Sequence, residues 1–188
     1  MRKRIFLLIL ILATAFVLFT ACAKQDGPVL SSDTSLTVES VCDENIENGA
    51  ATLTTAQYEA LSAAQDKAEL CEYTLATGAD VVVTLDGKTL TFAVTAEDGT
   101  QKTYSVTLTV LSNDTSLTIA EVNGAAVSEG EATLTTAQYE ALSAAQDKAE
   151  LCEYTLATGA DVVVTLDGKT LTFAVTAEDG TQKTYSVT

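Results

Sequence analysis

Residues 81–95 read Val-Val-Val-Thr-Leu-Asp-Gly-Lys-Thr-Leu-Thr-Phe-Ala-Val-Thr, and they contain the clearest fold signal in the chain. Apolar residues recur at every second position on both sides of Asp86-Gly87, a dipeptide that favours a hairpin turn. After a second turn at Glu97-Asp98-Gly99, residues 103–110 alternate in the same way. Period-two alternation with one Thr-rich face predicts an antiparallel sheet that is covered on one side only.

This hairpin occurs twice, because residues 51–107 and 132–188 are identical at an offset of 81 residues. An internal repeat indicates that the chain contains two copies of one structural unit, whatever the secondary-structure propensity of each copy. We therefore predict two tandem modules, module 1 over residues 31–111 and module 2 over residues 112–188. Each is long enough to bury a modest core of its own. Thr188 matches Thr107, so we expect either that the chain continues into further repeats or that the last strand of module 2 is four residues shorter than that of module 1.

A helix is predicted before the hairpin in each module. Thr54-Thr55-Ala56-Gln57 fits a capping box, with Thr54 at the N-cap and Gln57 at the third helical position. Residues 56–72 are rich in Ala, Glu, Gln and Leu and lack Gly, Pro and β-branched residues. Leu61 and Cys71 would lie on its narrow apolar stripe. We predict a β-rich α+β fold, in which each module is an antiparallel sheet of about four strands with one helix packed on its apolar face.

Residues 94–106, Val-Thr-Ala-Glu-Asp-Gly-Thr-Gln-Lys-Thr-Tyr-Ser-Val, resemble the closing hairpin of the bacterial cadherin-like, immunoglobulin-like β-sandwich repeats. Such repeats are tandem modules of secreted and surface proteins. The resemblance implies an all-β immunoglobulin-like sandwich, which is the alternative to the α+β fold. In that family the middle of the module is strand, where this sequence favours a helix.

The N-terminal segment has the layout of a signal peptide. Arg2, Lys3 and Arg4 precede the uncharged, apolar residues 5–18, a run too short to span a bilayer comfortably. The Phe-Thr-Ala-Cys sequence that ends at Cys22 resembles the lipobox of bacterial lipoproteins. The resemblance implies a signal peptide over residues 1–21 and a lipid on Cys22. Residues 22–30 would then be a tether that holds the protein on a cell membrane, facing outside the cytoplasm at the cell surface or in the periplasm.

Composition excludes several classes of function. The net charge is -16, and the chain has no His. A polyanion is a poor partner for nucleic acid, because phosphate contacts need clustered cations. Without His there is no imidazole base and no Ser-His-Asp triad. We therefore predict no enzymatic activity, no catalytic residue and no required cofactor.

Two weaker site predictions concern residues 42–47 and Cys71. A Cys42–Cys71 disulfide is plausible outside the cell. The alternative is that Cys71 and its repeat Cys152 are small, reduced core residues, since module 2 has Asn123 where module 1 has Cys42. Asp43, Asn45 and Glu47 place oxygen donors at alternate positions, as a calcium loop can. The alternative is a solvated acidic surface.

These observations predict a non-catalytic, lipid-anchored bacterial surface protein that acts as a stalk, a spacer, or an adhesion and binding module. Its partners would be the membrane, through the lipid, and a surface glycan or protein. One alternative is a carbohydrate- or peptide-binding accessory lipoprotein. Another is a subunit that assembles by strand donation, with the short last strand of module 2 leaving an acceptor sheet.

Overall fold

A computed structural model describes residues 29–188. Among these residues, no helix is both long and apolar enough to cross a membrane. The elements of module 1, in chain order, are β1 (Leu36–Val41), β2 (Glu44–Asn45), β3 (Ala50–Leu53), α1 (Thr55–Ala63), a 3₁₀ turn (Lys67–Leu70), β4 (Cys71–Leu75), β5 (Asp80–Asp86), β6 (Thr89–Thr95) and β7 (Gln101–Val110).

Module 2 repeats this order. Its elements are β8 (Leu117–Val122), β9 (Ala125–Ser128), β10 (Glu131–Ala132), α2 (Thr136–Ala144), a 3₁₀ turn (Ala149–Leu151), β11 (Cys152–Leu156), β12 (Asp161–Asp167), β13 (Thr170–Thr176) and β14 (Gln182–Val187). The predicted β-rich α+β class is confirmed, with one α-helix in each module.

The strands of each module form two sheets, where the sequence indicated one. In module 1 the antiparallel sheet has the order β2-β1-β4, and the larger sheet has the order β3-β7-β6-β5. Within the larger sheet β3 runs parallel to β7, and the other pairs are antiparallel. Module 2 has the sheets β10-β9-β8-β11 and β12-β13-β14. The parallel pairing joins residues more than 50 positions apart, so local alternation could not reveal it.

Both sheets and the helix contribute to one core in module 1. Phe92 of β6 and Leu61 of α1 are fully buried, and Val41 of β1 packs in the same cluster. Tyr73 of β4 meets Phe92 edge to face, with the ring centroids 6.1 Å apart. Burial of each such aliphatic or aromatic side chain contributes about 1.5–3 kcal/mol. Module 2 has its own core around Phe173.

The helix is shorter than predicted. α1 ends at Ala63, and the predicted continuation over residues 64–72 is a 3₁₀ turn followed by β4. Cys71 is therefore the first residue of a strand and not part of a helix stripe. Asp66 caps the 3₁₀ turn by accepting the backbone N–H of Ala68 at 3.0 Å. The pairing of β4 with β1 overrides the helix propensity of this segment, because propensity is a weak preference that tertiary contacts outweigh.

Candidate functional site: a groove on module 2

A groove of about 490 Å³ opens on module 2 beside the end of β14. Its buried lining is apolar and includes Val122, Leu142 and Leu171, each at most 2% exposed. Tyr139 and Lys169 are exposed lining residues. The Tyr139 hydroxyl donates to the carbonyl oxygen of Gly168 at 2.8 Å. The groove is therefore suited to apolar side chains, with a single cationic side chain in its lining.

Module 1 shows what fills the same place. There Leu108 of β7 is 2% exposed and packs in the core with Ala51 and Leu53, which are 1% and 0% exposed. Their counterparts in module 2, Ala132 and Leu134, are only half-buried and line the groove. Because the two local sequences are identical, the difference comes from residues 108–111 of module 1, which have no counterpart among the described residues of module 2. The groove is the space that a leucine occupies in module 1.

The backbone hydrogen bonding of the same segment also differs between the two modules. In module 1, β3 and β7 form a four-residue parallel ladder from Ala50↔Thr107 to Leu53↔Val110. In module 2 the ladder begins, because Ala132 donates its N–H to the Thr188 carbonyl at 3.0 Å and Thr188 donates to the Gly130 carbonyl at 3.0 Å. The described residues provide no continuation, so Thr133 and Leu134 belong to no strand.

The helix N-terminus next to the groove is locally well defined, as the sequence predicted. The Thr135 hydroxyl accepts the Gln138 N–H at 3.3 Å, and Gln138 Oε1 accepts the Thr135 N–H at 2.9 Å. The same reciprocal capping box is formed by Thr54 and Gln57 in module 1. This cap fixes the start of α2, and with it the placement of Tyr139 and Leu142 along the groove.

Cys42 and Cys71 are neighbours but are free thiols in the structure. Cys42 follows Val41, which pairs with Cys71 across β1 and β4. The Cys42 thiol lies 3.7 Å from the Gln57 carbonyl, and the Cys71 thiol lies 3.3 Å from the Lys67 carbonyl. Burial raises the pKa of Cys71 to about 11, with smaller contributions from Cys42 and Asp66. Both thiols point to backbone carbonyls. The possible Cys42–Cys71 disulfide stays a prediction.

The acidic segment proposed for calcium forms the turn and short strand after β1. Asn45 and Glu47 line a shallow pocket of about 280 Å³ together with Glu44, whereas Asp43 is not part of it. Glu44 accepts the Gln57 side-chain amide at 3.0 Å. Over residues 29–188, no group of three or more Asp, Glu, Cys or His side chains is arranged to hold a metal ion. The calcium site at Asp43, Asn45 and Glu47 stays a prediction.

The paired carboxylates at Glu97-Asp98 have a structural role. Glu97 Oε2 accepts the Ser31 N–H at 3.1 Å, and the Asp98 N–H donates to the Ser31 carbonyl at 3.1 Å. Asp98 Oδ1 also accepts the Thr100 N–H at 2.8 Å, which closes the turn. These contacts give the acidic turn a structural role, because they attach the segment that precedes the module. No catalytic role is needed to explain the two carboxylates.

The predicted lipidation site, Cys22, and the signal peptide over residues 1–21 lie outside the described residues. Sequence reasoning did not single out the groove residues Leu134 and Lys169. The signal that pointed to them was the four-residue difference between the last strands of the two modules. No protein family, curated protein or solved structure that was compared with this chain matches it.

Proposed function

We propose that this chain is a non-catalytic, lipid-anchored protein of the bacterial cell surface or periplasm, whose modules act as a spacer or as an adhesion and binding module. The signal-peptide layout and Cys22 support the anchor. The net charge of -16 disfavours binding to nucleic acid. Electrostatic repulsion at this charge also keeps neighbouring copies of the chain apart. The spacer part of the proposal is carried by the junction between the modules.

At this junction, consecutive residues are bound by different modules. The Leu111 N–H donates to the Leu53 carbonyl of module 1 at 2.9 Å, and the Leu111 carbonyl accepts the Thr55 hydroxyl at 2.8 Å. The next residue, Ser112, donates its N–H to Glu178 Oε2 of module 2 at 3.0 Å. No free linker residue separates the modules. A spacer benefits from this arrangement, since a flexible linker behaves as a random coil and shortens the mean reach.

The same attachment is used at the start of module 1. Ser31 is held by Glu97 and Asp98 as Ser112 is held by Glu178 and Asp179, at nearly the same distances. Each module therefore receives the preceding chain segment on the same acidic turn. A repeated attachment of this kind supports a protein built by adding modules end to end.

The anchor is tested by metabolic labelling of cells that express the full chain with an alkyne analogue of palmitate. We expect label on the wild-type chain and none on the Cys22→Ser variant, which should also accumulate with its signal peptide uncleaved. Protease added to intact cells or to spheroplasts then distinguishes the cell surface from the periplasm. Equal labelling of wild type and Cys22→Ser, or protection from protease in both preparations, would contradict the proposal.

The spacer role is tested by ¹⁵N relaxation of the full chain in detergent micelles. We expect the two modules to share one rotational correlation time, because Leu111 and Ser112 leave no hinge. Inserting Gly-Gly-Ser-Gly-Gly between these residues should let the modules tumble separately. The same insertion between Gly87 and Lys88, in the exposed β5–β6 loop, is the matched control. Independent tumbling of the wild-type modules would overturn the spacer role and leave the anchor unaffected.

A further inference from the structure

We infer that Asn48 is a site of spontaneous covalent modification, at which the side-chain amide is lost and both aspartate and isoaspartate are formed. Asn123 is protected from the same reaction by the fold. Each of these asparagines is followed by a glycine, Gly49 in module 1 and Gly124 in module 2. The inference goes beyond the proposed function and does not depend on it.

The reaction needs an asparagine followed by a residue whose backbone nitrogen is open to approach. The Gly49 nitrogen attacks Cγ of Asn48, the bond from Cγ to Nδ2 breaks, and ammonia leaves with the proton of the Gly49 N–H. Water then opens the five-membered imide at either of its two carbonyl carbons, which gives an aspartyl or an isoaspartyl link. No oxidant or reductant takes part. Glycine favours this chemistry, because it has no Cβ to shield its nitrogen.

The two asparagines differ in what holds the side-chain amide. Asn48 is exposed, and its side chain makes no hydrogen bond within residues 29–188. Asn123 is half-buried, and its Nδ2 donates to the Gln138 carbonyl at 2.8 Å. Gln138 Nε2 donates in return to the Asn123 carbonyl at 2.8 Å. Asn123 must therefore break its side-chain hydrogen bond before Cγ can rotate toward the next nitrogen, whereas Asn48 has no such bond to break.

The backbone is nearly the same at both sites, so it does not account for a difference in rate. Asn48 and Asn123 have φ of 51° and 46°, and the glycines that follow them have φ of 80° and 78°. Each asparagine and its glycine form a two-residue turn between antiparallel partners. A slower reaction at Asn123 is therefore assigned to its hydrogen-bonded, half-buried amide.

The two products differ in what they do to the fold. Module 2 has Glu129 at the position of Asn48, with φ of 53° against 51°. An acidic side chain is therefore accommodated there, and the aspartyl product keeps the turn. The isoaspartyl product adds one carbon to the backbone just before Gly49, whose carbonyl accepts the Thr107 N–H at 3.0 Å. Because a tight turn sets the register of the strand that follows it, this product should weaken the start of the β3–β7 ladder.

The test incubates the full chain in detergent micelles and mildly alkaline buffer, with and without urea. Peptide mass spectrometry with electron-transfer fragmentation then separates isoaspartate from aspartate at each site. In the folded chain, Asn48 should react about fivefold faster than Asn123, as expected if one hydrogen bond must break first. In urea the two rates should converge, because a glycine follows both residues. Hydrogen exchange at the Thr107 amide should be faster in the isoaspartyl fraction than in the unmodified chain.

Two substitutions provide matched controls. Glu129→Asn places an asparagine before Gly130, in the exposed turn of module 2 that corresponds to the turn at Asn48. This position should react as fast as Asn48, while Asn123 in the same module stays slow. Asn48→Glu, which copies module 2, should remove the reaction at position 48 and leave the rate at Asn123 unchanged.

Equal rates at Asn48 and Asn123 in the folded chain, or no product at position 48, would overturn the inference. A rate difference of the same size in urea would also overturn it, because the neighbouring sequence and not the fold would then set the two rates.

Discussion

Cys42 and Asn123 occupy the same position in the two modules, and both have a left-handed backbone, with φ of 52° and 46°. Each is the first residue of a two-residue turn, between β1 and β2 or between β8 and β9. Asn123 Nδ2 donates to the Gln138 carbonyl at 2.8 Å, whereas the Cys42 thiol lies 3.7 Å from the Gln57 carbonyl. Asn suits this position better, because it tolerates a left-handed backbone and its amide is a stronger donor than a thiol.

Transferring the turn of module 2 into module 1 should stabilise module 1. Asp43 also has a positive φ, 67°, where module 2 has Gly124. We expect Cys42→Asn with Asp43→Gly to raise the free energy of unfolding of module 1 by about 1–2 kcal/mol. Urea unfolding followed by circular dichroism should show a higher midpoint for module 1 at an unchanged slope. The reverse change in module 2, Asn123→Cys with Gly124→Asp, should lower the midpoint of that module. A lower midpoint for the Cys42→Asn, Asp43→Gly chain would contradict the argument.

Gln57 connects the helix cap to the same turn, so its loss should cost more than loss of the cap alone. Its side-chain oxygen accepts the Thr54 N–H at 2.8 Å, and its side-chain nitrogen donates to the Cys42 carbonyl at 3.1 Å. Thr54→Ala should lower the free energy of unfolding by about 1 kcal/mol, since it removes one cap acceptor. Gln57→Ala should lower it further, because the turn carbonyl also loses its donor. Thermal unfolding measures both, and Thr54→Ser, which retains the hydroxyl, is the control. Equal effects of Thr54→Ala and Gln57→Ala would mean that the turn contact contributes nothing.

Cys71 should react slowly with thiol reagents in the folded chain. Burial, more than the nearby Cys42 and Asp66, raises the pKa of its thiol to about 11. Because only the thiolate reacts, iodoacetamide at pH 8 should label Cys71 much more slowly in buffer than in urea, as measured by peptide mass spectrometry. The raised pKa also makes the free energy of unfolding fall as the pH rises from the ordinary thiol value, about 8.5, to about 11. Cys71→Ala should remove that part of the pH dependence. Labelling at equal rates in buffer and urea would show that the thiol is accessible.

Asp33 and Asp98 should titrate below the ordinary range of aspartate, for related reasons. Hydrogen bonds from the Ser35 side chain and then its backbone lower the pKa of Asp33. For Asp98 the backbone of Thr100 lowers the pKa most, and the Thr100 side chain lowers it less. In ¹³C carboxyl titrations, Ser35→Ala should therefore raise the Asp33 pKa, and Thr100→Ala should raise the Asp98 pKa. An unchanged pKa in both variants would contradict this account.

The sign of the stability effect follows from these lowered pKa values. The unfolded chain binds protons on Asp33 and Asp98 more readily than the folded chain does. Their contribution to stability is therefore present above the ordinary aspartate pKa and is lost as the pH falls through the lowered, folded values. Acid unfolding of wild type and Asp98→Asn should converge at low pH, where both side chains at position 98 are uncharged. If the two chains still differ in stability below the pKa of Asp98 in the folded chain, the effect does not come from ionisation of Asp98.

Local features of the fold were predictable from the sequence, because they depend on contacts within a few residues. The Asp86-Gly87 hairpin joins β5 to β6 through a two-residue loop in which Gly87 has φ of 52°. Asn123-Gly124, a dipeptide that favours a hairpin turn, forms the turn between β8 and β9. The capping box at Thr54 was also predicted. The duplication itself needs no structure, because two identical stretches of 57 residues are visible in the sequence alone.

Contacts between residues far apart in the chain determined the features of the fold that the sequence did not predict. α1 ends at Ala63, and Cys71 enters a strand because β1 offers β4 partners 30 or more positions away in the chain. The parallel pairing of β3 with β7 leaves no trace in the alternation of either strand. The groove on module 2 likewise becomes visible only when the half-buried Leu134 is compared with the fully buried Leu53. The sequence alone determined the repeat, the hairpins and the caps through local propensity. The tertiary structure decided the sheet order and the groove, because these arise from burial of apolar surface shared between segments far apart in the chain.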